Sequence, residues 1–242
     1  MTTLDISHLT KFAYTNKGKR AIVDNLSLSI KKGEVYGFLG PNGAGKTTTL
    51  KLILNLIRPD SGKIKILTNT KPDLIKQKIG YMSEQPYFYH YLSGFEILDF
   101  AGRLFDIPKE QRQLKIKGLI ETVGLAGSEN IAVSKYSKGM LQRLGLATAL
   151  INDPDLILLD EPLDGLDPIG RLTIKKILLE QKKKGKTIFF NSHILSDAEE
   201  ICDRVGIIHQ GKLIVEGNPR KLTKRGETLE KYFVRIIEAQ PK

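Results

Sequence analysis

Gly40-Pro-Asn-Gly-Ala-Gly-Lys-Thr-Thr48 leaves few folds open to this chain. It fits G-x-x-x-x-G-K-[ST], with Gly40, Gly45, Lys46 and Thr47 in the fixed places. A strand-like run, Glu34 to Leu39, precedes it, and a helix-like run, Thr48 to Asn55, follows. That order, strand then glycine loop then helix, turns a pattern into a phosphate site. The glycines let several backbone N–H groups converge on one anion, and the helix adds its positive end. Lys46 is placed to reach the β- and γ-phosphates of a nucleotide, and the Thr47 hydroxyl to ligate Mg²⁺. The alternative is a glycine-rich turn ahead of an ordinary helix, and the flanking context argues against it.

A phosphate loop implies an α/β core, and the rest of the 242 residues reads that way. The first 35 residues alternate apolar and polar positions, as in Leu26-Ser-Leu-Ser-Ile30, and predict antiparallel strands. Gly62 to Leu67 and the run to Gln85 continue the strand pattern. From about Pro86 to Asp153 the spacing becomes helical, in segments 93–105, 109–123 and 139–150. Asp155-Leu-Ile-Leu-Leu-Asp160 is a continuous apolar run ending in acid, as a central parallel strand requires. Arg171 to Lys184 reads as a helix stopped by Gly185, Thr187 to Phe190 as a strand, and Ser196 as the cap of a helix to Ile201. A hairpin turning at Gln210-Gly211-Lys212 and an amphipathic helix over 228–238 close the chain. The expected architecture is a P-loop NTPase core with a mainly parallel central sheet, an N-terminal antiparallel β-subdomain and an inserted α-helical subdomain. As one domain, 1–242 divides into a core (1–85 and 154–217), a helical subdomain (about 86–153) and a helical tail (218–242).

Leu156 to Asp160, followed by Glu161-Pro162, delivers two adjacent carboxylates at the end of a hydrophobic strand. Ligand sites in parallel sheets lie at such carboxyl ends. Two acids there divide the work: Asp160 for the Mg²⁺ shell, Glu161 to take a proton from an attacking water. Read alone, they are equally a pair of exposed acids at a strand end. His193, after the next strand, is placed either to hydrogen-bond a terminal phosphate or simply to start a helix.

The order of motifs is more specific than any one of them. The phosphate loop, Gln85, Tyr136-Ser-Lys-Gly-Met-Leu-Gln-Arg143, Asp160-Glu161, Gly165-Leu-Asp-Pro168 and His193 together resemble the nucleotide-binding domain of ATP-binding cassette (ABC) transporters, over about Leu4 to Gly217. The resemblance implies ATP and Mg²⁺ as ligands. It makes Gly40, Pro41, Asn42, Gly43, Ala44, Gly45, Lys46, Thr47 and Thr48 the Walker A loop and Asp160 and Glu161 Walker B and the catalytic base. Gln85 becomes the glutamine that senses Mg²⁺ and water, and His193 the switch histidine. Ser137 and Gly139 become the signature that meets a γ-phosphate held by an opposite subunit, and Asp167 the D-loop aspartate. An aromatic near the N-terminus is implied to stack on adenine: Tyr14, with Phe12 close by. The signature departs from Leu-Ser-Gly-Gly-Gln, since Lys138 replaces the first glycine and Met140 the glutamine. Lys138 reads either as a cation near the phosphates or as a surface charge.

The Tyr136–Arg143, Gly165–Arg171 and Ser192–Glu200 texts are similar to the drug, sodium and ABC-2 type exporter ATPases. That branch implies a second copy or a homologous ATPase subunit and a polytopic membrane permease as partners, with no nucleic acid. It implies a cytoplasmic protein, peripheral at the inner face of the membrane. No apolar run approaches the roughly 20 residues a span needs, and Met1-Thr-Thr-Leu-Asp5 is not a signal peptide. The net charge of +11 fits nucleic acid, an anionic membrane surface or a nucleotide, or simply a lysine-rich solvated face. The aromatics of Gln85 to Phe95 read as permease contacts or as packing within the helices. Cys202, the single cysteine, reads as a buried structural thiol that leaves no internal disulfide. A regulatory ATPase acting on an envelope partner is the alternative function, and a nucleic-acid-linked ABC protein a more distant one.

Overall fold

A computed structural model describes residues 1–15, 18–68 and 70–239. It forms two compact units, one of residues 1–69 with 189–242, the other of residues 70–188.

The first unit begins with β1 (Thr2–Thr15) and β2 (Gly18–Lys31), antiparallel in register from Thr2↔Lys31 to Thr15↔Gly18. They are followed by β3 (Val35–Leu39), α1 (Lys46–Ile53) and β4 (Ser61–Ile66). β4 adds to the free edge of β1, giving the order β2-β1-β4. The alternation seen in the sequence is the reason: Leu26, Leu28 and Ile30 are buried while Ser27 and Ser29 face out. β3 has no such alternation, because every residue in it is buried.

The second unit holds β5 (Ile79–Met82), α2 (Gly94–Leu104), α3 (Lys109–Thr122), α4 (Lys138–Leu150), β6 (Leu156–Asp160) and α5 (Pro168–Lys183). The three predicted helical segments are thus present, α2 opened by a complete capping box between Ser93 and Glu96. The buried Arg112 of α3 donates to Asp99 of α2 at 2.5 Å and to the Ile107 carbonyl at 2.6 Å, which satisfies its charge. β5 and β6 pair in parallel, Ile79↔Leu156 to Met82↔Leu159. α4 lies so close on β5 that a Cβ at Gly80 would stand 1.9 Å from the Ala149 carbonyl oxygen.

β7 (Thr187–Ser192) starts in the second unit and ends in the first. The first unit continues with α6 (Leu195–Ile201), β8 (Arg204–His209), β9 (Lys212–Gly217), α7 (Pro219–Leu222) and α8 (Leu229–Glu238). There β7, β3, β8 and β9 are neighbours in that order, with β3 and β8 parallel and β8 and β9 an antiparallel hairpin. The hairpin turns through Gln210 at φ 47° and Gly211 at φ 82°, the two left-handed residues a tight turn of this hand requires. Phe189 packs on Tyr36, ring centroids 5.8 Å apart, to form the unit's aromatic core.

Two helix starts differ from the sequence reading. α5 begins at Pro168 rather than Arg171, because Asp167 caps it by accepting from the Gly170 N–H at 2.7 Å and Pro168 suits a first helical position. α6 begins at Leu195, with Ile194 and not Ser196 at the cap and no side-chain cap bond. The capping chemistry sits one step earlier, where Ser192 Oγ accepts from the Ile194 N–H at 2.9 Å. Cys202 closes α6 half-buried, its Sγ against Gly37.

Candidate functional site

The candidate residues fall in two sets, one in each unit. In the first, the glycine loop joins the buried end of β3 to α1. Its glycines are demanded by their neighbours. A Cβ at Gly40 would stand 2.4 Å from the Ile208 carbonyl oxygen, and one at Gly45 2.4 Å from that of Ile22. Gly45 also needs φ 107°, open only to glycine. Asn42 and Gly43 are exposed, and a Cβ at Gly43 would meet nothing within 4 Å. Lys46, 6% exposed, turns back over the loop and donates to the Gly40 carbonyl at 2.8 Å and the Pro41 carbonyl at 3.3 Å. Its ammonium is therefore poised at the mouth of the loop. Thr47 and Thr48 follow in the first turn of α1, where no acidic side chain opposes a bound anion.

β7 brings His193 to the same end. The Gly40 N–H donates to the Ser192 carbonyl at 3.4 Å, so the residue before His193 lies beside the first loop glycine. His193 itself is exposed. Tyr14 stands on β1 opposite Lys19, 75% exposed. Phe12, two residues earlier on the same face of the strand, has one ring face covered by Lys19 Nζ at 3.6 Å.

In the second unit, fully buried β6 ends in Asp160, 1% exposed, and Glu161, 6% exposed. They are not exposed acids. Glu161 has φ 50°, an uncommon conformation for a side-chain-bearing residue and one that turns the chain sharply off the strand axis. The Asp164 N–H donates to the Glu161 carbonyl at 3.1 Å and closes that turn. Burial first, and the Asp160 carboxylate second, push the Tyr81 phenol up.

Gln85 follows β5 and is exposed. Its segment is pinned by two residues of α4 that the sequence reading missed. Buried Gln142 donates to the Glu84 carbonyl at 2.9 Å, and Gly145 admits Pro86 so closely that a Cβ there would stand 2.7 Å from the proline ring. The sequence signal was present: a glutamine on the inward face of a helix needs a polar partner. Ser137 caps α4, its Oγ accepting from the Met140 N–H at 3.2 Å. Ser137 and Gly139 line a cavity of about 360 Å³ with Gly165, Asp167 and Gly170. Within this unit the structure thus joins the signature to the turn that follows Glu161.

Comparison with known proteins bears on both halves. The ABC transporter family model matches residues 23–164, more than half of the chain. An uncharacterized ABC transporter ATP-binding protein of Nostoc is 49% identical over 219 residues, covering 89% of this chain and 65% of its own length. The chain therefore spans just under two thirds of that relative. The bacitracin transport ATP-binding protein of Bacillus licheniformis is 42% identical, covering 89% of this chain and 69% of its own. Among solved structures, an ATP-binding subunit of an ABC transporter superposes with a TM-score of 0.85 at 28% identity, covering 97% of this chain and 99% of that one. A dimeric cassette bound to ADP and phosphate shares the fold, with a TM-score of 0.80 at 24% identity over 89% of this chain and 98% of its own. With a family model over more than half of its length, the chain belongs to the ABC transporter family.

Proposed function

We propose that the chain is the ATP-hydrolysing subunit of a membrane exporter, working as a dimer of cassettes against a polytopic permease. The observation that carries this reading is the form of the signature. Ser137 and Gly139 open into a cavity with the D-loop and are accessible from outside the unit, while Lys46 and Glu161 are buried. An accessible serine at a helix start suits a phosphate brought by another molecule. One chain then supplies the Gly40–Thr48 loop, Gln85, Glu161 and His193, and the other Ser137 and Gly139. Transport names among the relatives, for bacitracin and for a lantibiotic, support a transport role.

Mg²⁺ prefers hard oxygens and is held by one or two carboxylates together with substrate phosphates. Thr47, Gln85 and Asp160 offer a hydroxyl, an amide and a carboxylate oxygen. The ion would neutralise charge between the β- and γ-phosphates. Glu161 accepts the proton of the attacking water, and His193 hydrogen-bonds the terminal phosphate.

Tyr14 is the adenine platform in this reading, because it is 75% exposed while Phe12 already carries Lys19. Stacking on a base is worth about 1–3 kcal/mol. Tyr14→Ala is expected to weaken ATP binding accordingly in calorimetric titration, and Phe12→Ala to leave it near parental. The reverse pattern would assign Phe12.

The permease contact is the aromatic segment after Gln85. Tyr87, Tyr89 and Tyr91 are 83%, 53% and 77% exposed, with Phe100 and Leu104 also outward. Tyrosines on a surface suit an interface more than a core. Tyr87→Ala with Tyr89→Ala is expected to reduce transport by reconstituted vesicles several-fold while ATP hydrolysis by the isolated chain is unchanged. Loss of folding in that variant would return these residues to the core.

ATP-dependent dimerisation of the purified chain, followed by light scattering with and without Mg²⁺, tests the two-chain site. Co-purification of a polytopic membrane protein tests the partner. No helix among the described residues is long and apolar enough to cross a membrane.

A further inference from the structure

Lys138 lies between Ser137 and Gly139, where the sequence left it either a cation near phosphate or a surface charge. It has a specific partner. Its ammonium donates to Asp164 Oδ2 at 3.0 Å. The lysine stem runs along the Gly165 backbone so closely that a Cβ there would stand 2.0 Å from Nζ and 2.6 Å from Cε. Any side chain at residue 165 would displace this lysine.

Both ends of the contact are functional. At one end is the signature. At the other, Asp164 belongs to the turn that closes on the Glu161 carbonyl and holds Glu161 in its left-handed conformation. In a two-chain site the signature serves the partner's nucleotide, whereas Glu161 serves the chain's own. The Lys138–Asp164 contact therefore runs between two different active sites through a single polypeptide. It is also open to water, with 57% of the lysine and 32% of the aspartate side chain exposed. Ion pairs this exposed are screened and hold weakly. A phosphate offers more charge and more acceptor oxygens than a carboxylate, so it competes well for the same ammonium.

We propose that Lys138 is a charge switch between the two ATP sites of the dimer. It rests on Asp164 and transfers to the γ-phosphate presented by a second cassette, which releases the turn carrying Glu161. Lys138 is then a positioning residue for Glu161 as well as a phosphate contact, and ATP hydrolysis becomes cooperative in ATP. The proposal rests on the two-chain reading above.

The test reads two quantities on the full chain: the ATP midpoint for dimerisation in a Glu161→Gln background, and the Hill coefficient of hydrolysis with Glu161 intact. Lys138→Met is expected to raise the midpoint about tenfold, as for one lost charge-assisted contact, and to bring the Hill coefficient to about 1. Lys138→Gln should do the same. Asp164→Asn frees the lysine in advance, so the midpoint should fall while cooperativity is also lost. The opposite signs are the diagnostic. The exchange Lys138→Asp with Asp164→Lys restores a bridge but turns a carboxylate toward the phosphate, and is expected to dimerise no better than Lys138→Met. Parental behaviour of the exchange variant would mean that a bridge is all that matters, and would overturn the switch. So would single variants that move the midpoint in the same direction, or not at all. Nucleotide binding by each monomer and its thermal melting report folding. If the Glu161→Gln chain itself fails to dimerise with ATP, the two-chain reading falls; if it dimerises and the variants do not separate, only the switch does.

Discussion

Glu161→Gln is expected to bind ATP normally, to accumulate as an ATP-bound dimer and to hydrolyse about 10²- to 10⁴-fold more slowly than the parent, the range that loss of a positioned general base produces. The substitution is close to isosteric, which matters here for a structural reason. Glu161 sits 6% exposed at φ 50°, directly after a strand with no exposed residue. A change in size or branching would disturb that turn and the Asp164 N–H bond closing it, and a loss of activity would then say nothing about proton transfer. Glutamine keeps the size and shape, replaces one acceptor oxygen by an N–H donor, and removes the carboxylate that accepts a proton. Dimer accumulation in ATP by gel filtration, with single-turnover hydrolysis, measures both halves of the expectation. Parental turnover would remove Glu161 from the role of base and leave Asp160 to be tested next.

Lys46→Ala should abolish tight nucleotide binding. Two effects add. The ammonium supplies a charge-assisted contact to phosphate, worth roughly 3 kcal/mol or somewhat over a hundredfold in Kd. It also ties the loop together, since its bonds to the Gly40 and Pro41 carbonyls at 2.8 and 3.3 Å span the segment that curls around the anion. Both carbonyls lose that donor in the variant. Lys46→Ala is therefore expected to bind ATP more weakly than charge alone predicts and to show a more protease-sensitive 40–46 segment. Lys46→Arg keeps the charge but not the compact geometry, and should recover only part of the affinity. Normal ATP affinity in Lys46→Ala would mean that the glycine loop is not the phosphate site.

Much of this was legible before any coordinates. Gly40 to Thr48 is a local pattern: its glycines, lysine and threonine lie within nine residues, and the chemistry needs that spacing whatever surrounds it. The buried strand ending at Asp160 and the alternation of β2 were equally readable, because strand burial imposes its period on consecutive residues. Helix starts were less so. Asp167 decided where α5 begins through a side-chain bond to the Gly170 N–H, three residues on, and α6 begins at Leu195 with no side-chain cap at all; the apolar periodicity reports neither.

Sequence by itself determined the phosphate loop, the acid pair and the family, since each is written in short stretches whose spacing is chemical. Tertiary structure alone decided how those stretches are held and linked. Gln142 reaches the Glu84 carbonyl 58 residues away, Gly145 admits Pro86, and Lys138 finds Asp164 across 26 residues. The physical reason is that a contact between distant residues depends on where the backbone has already carried both partners. A lysine or a glutamine has the same side chain wherever it sits, so only the folded chain separates a solvated charge from one paired with a turn 26 residues on.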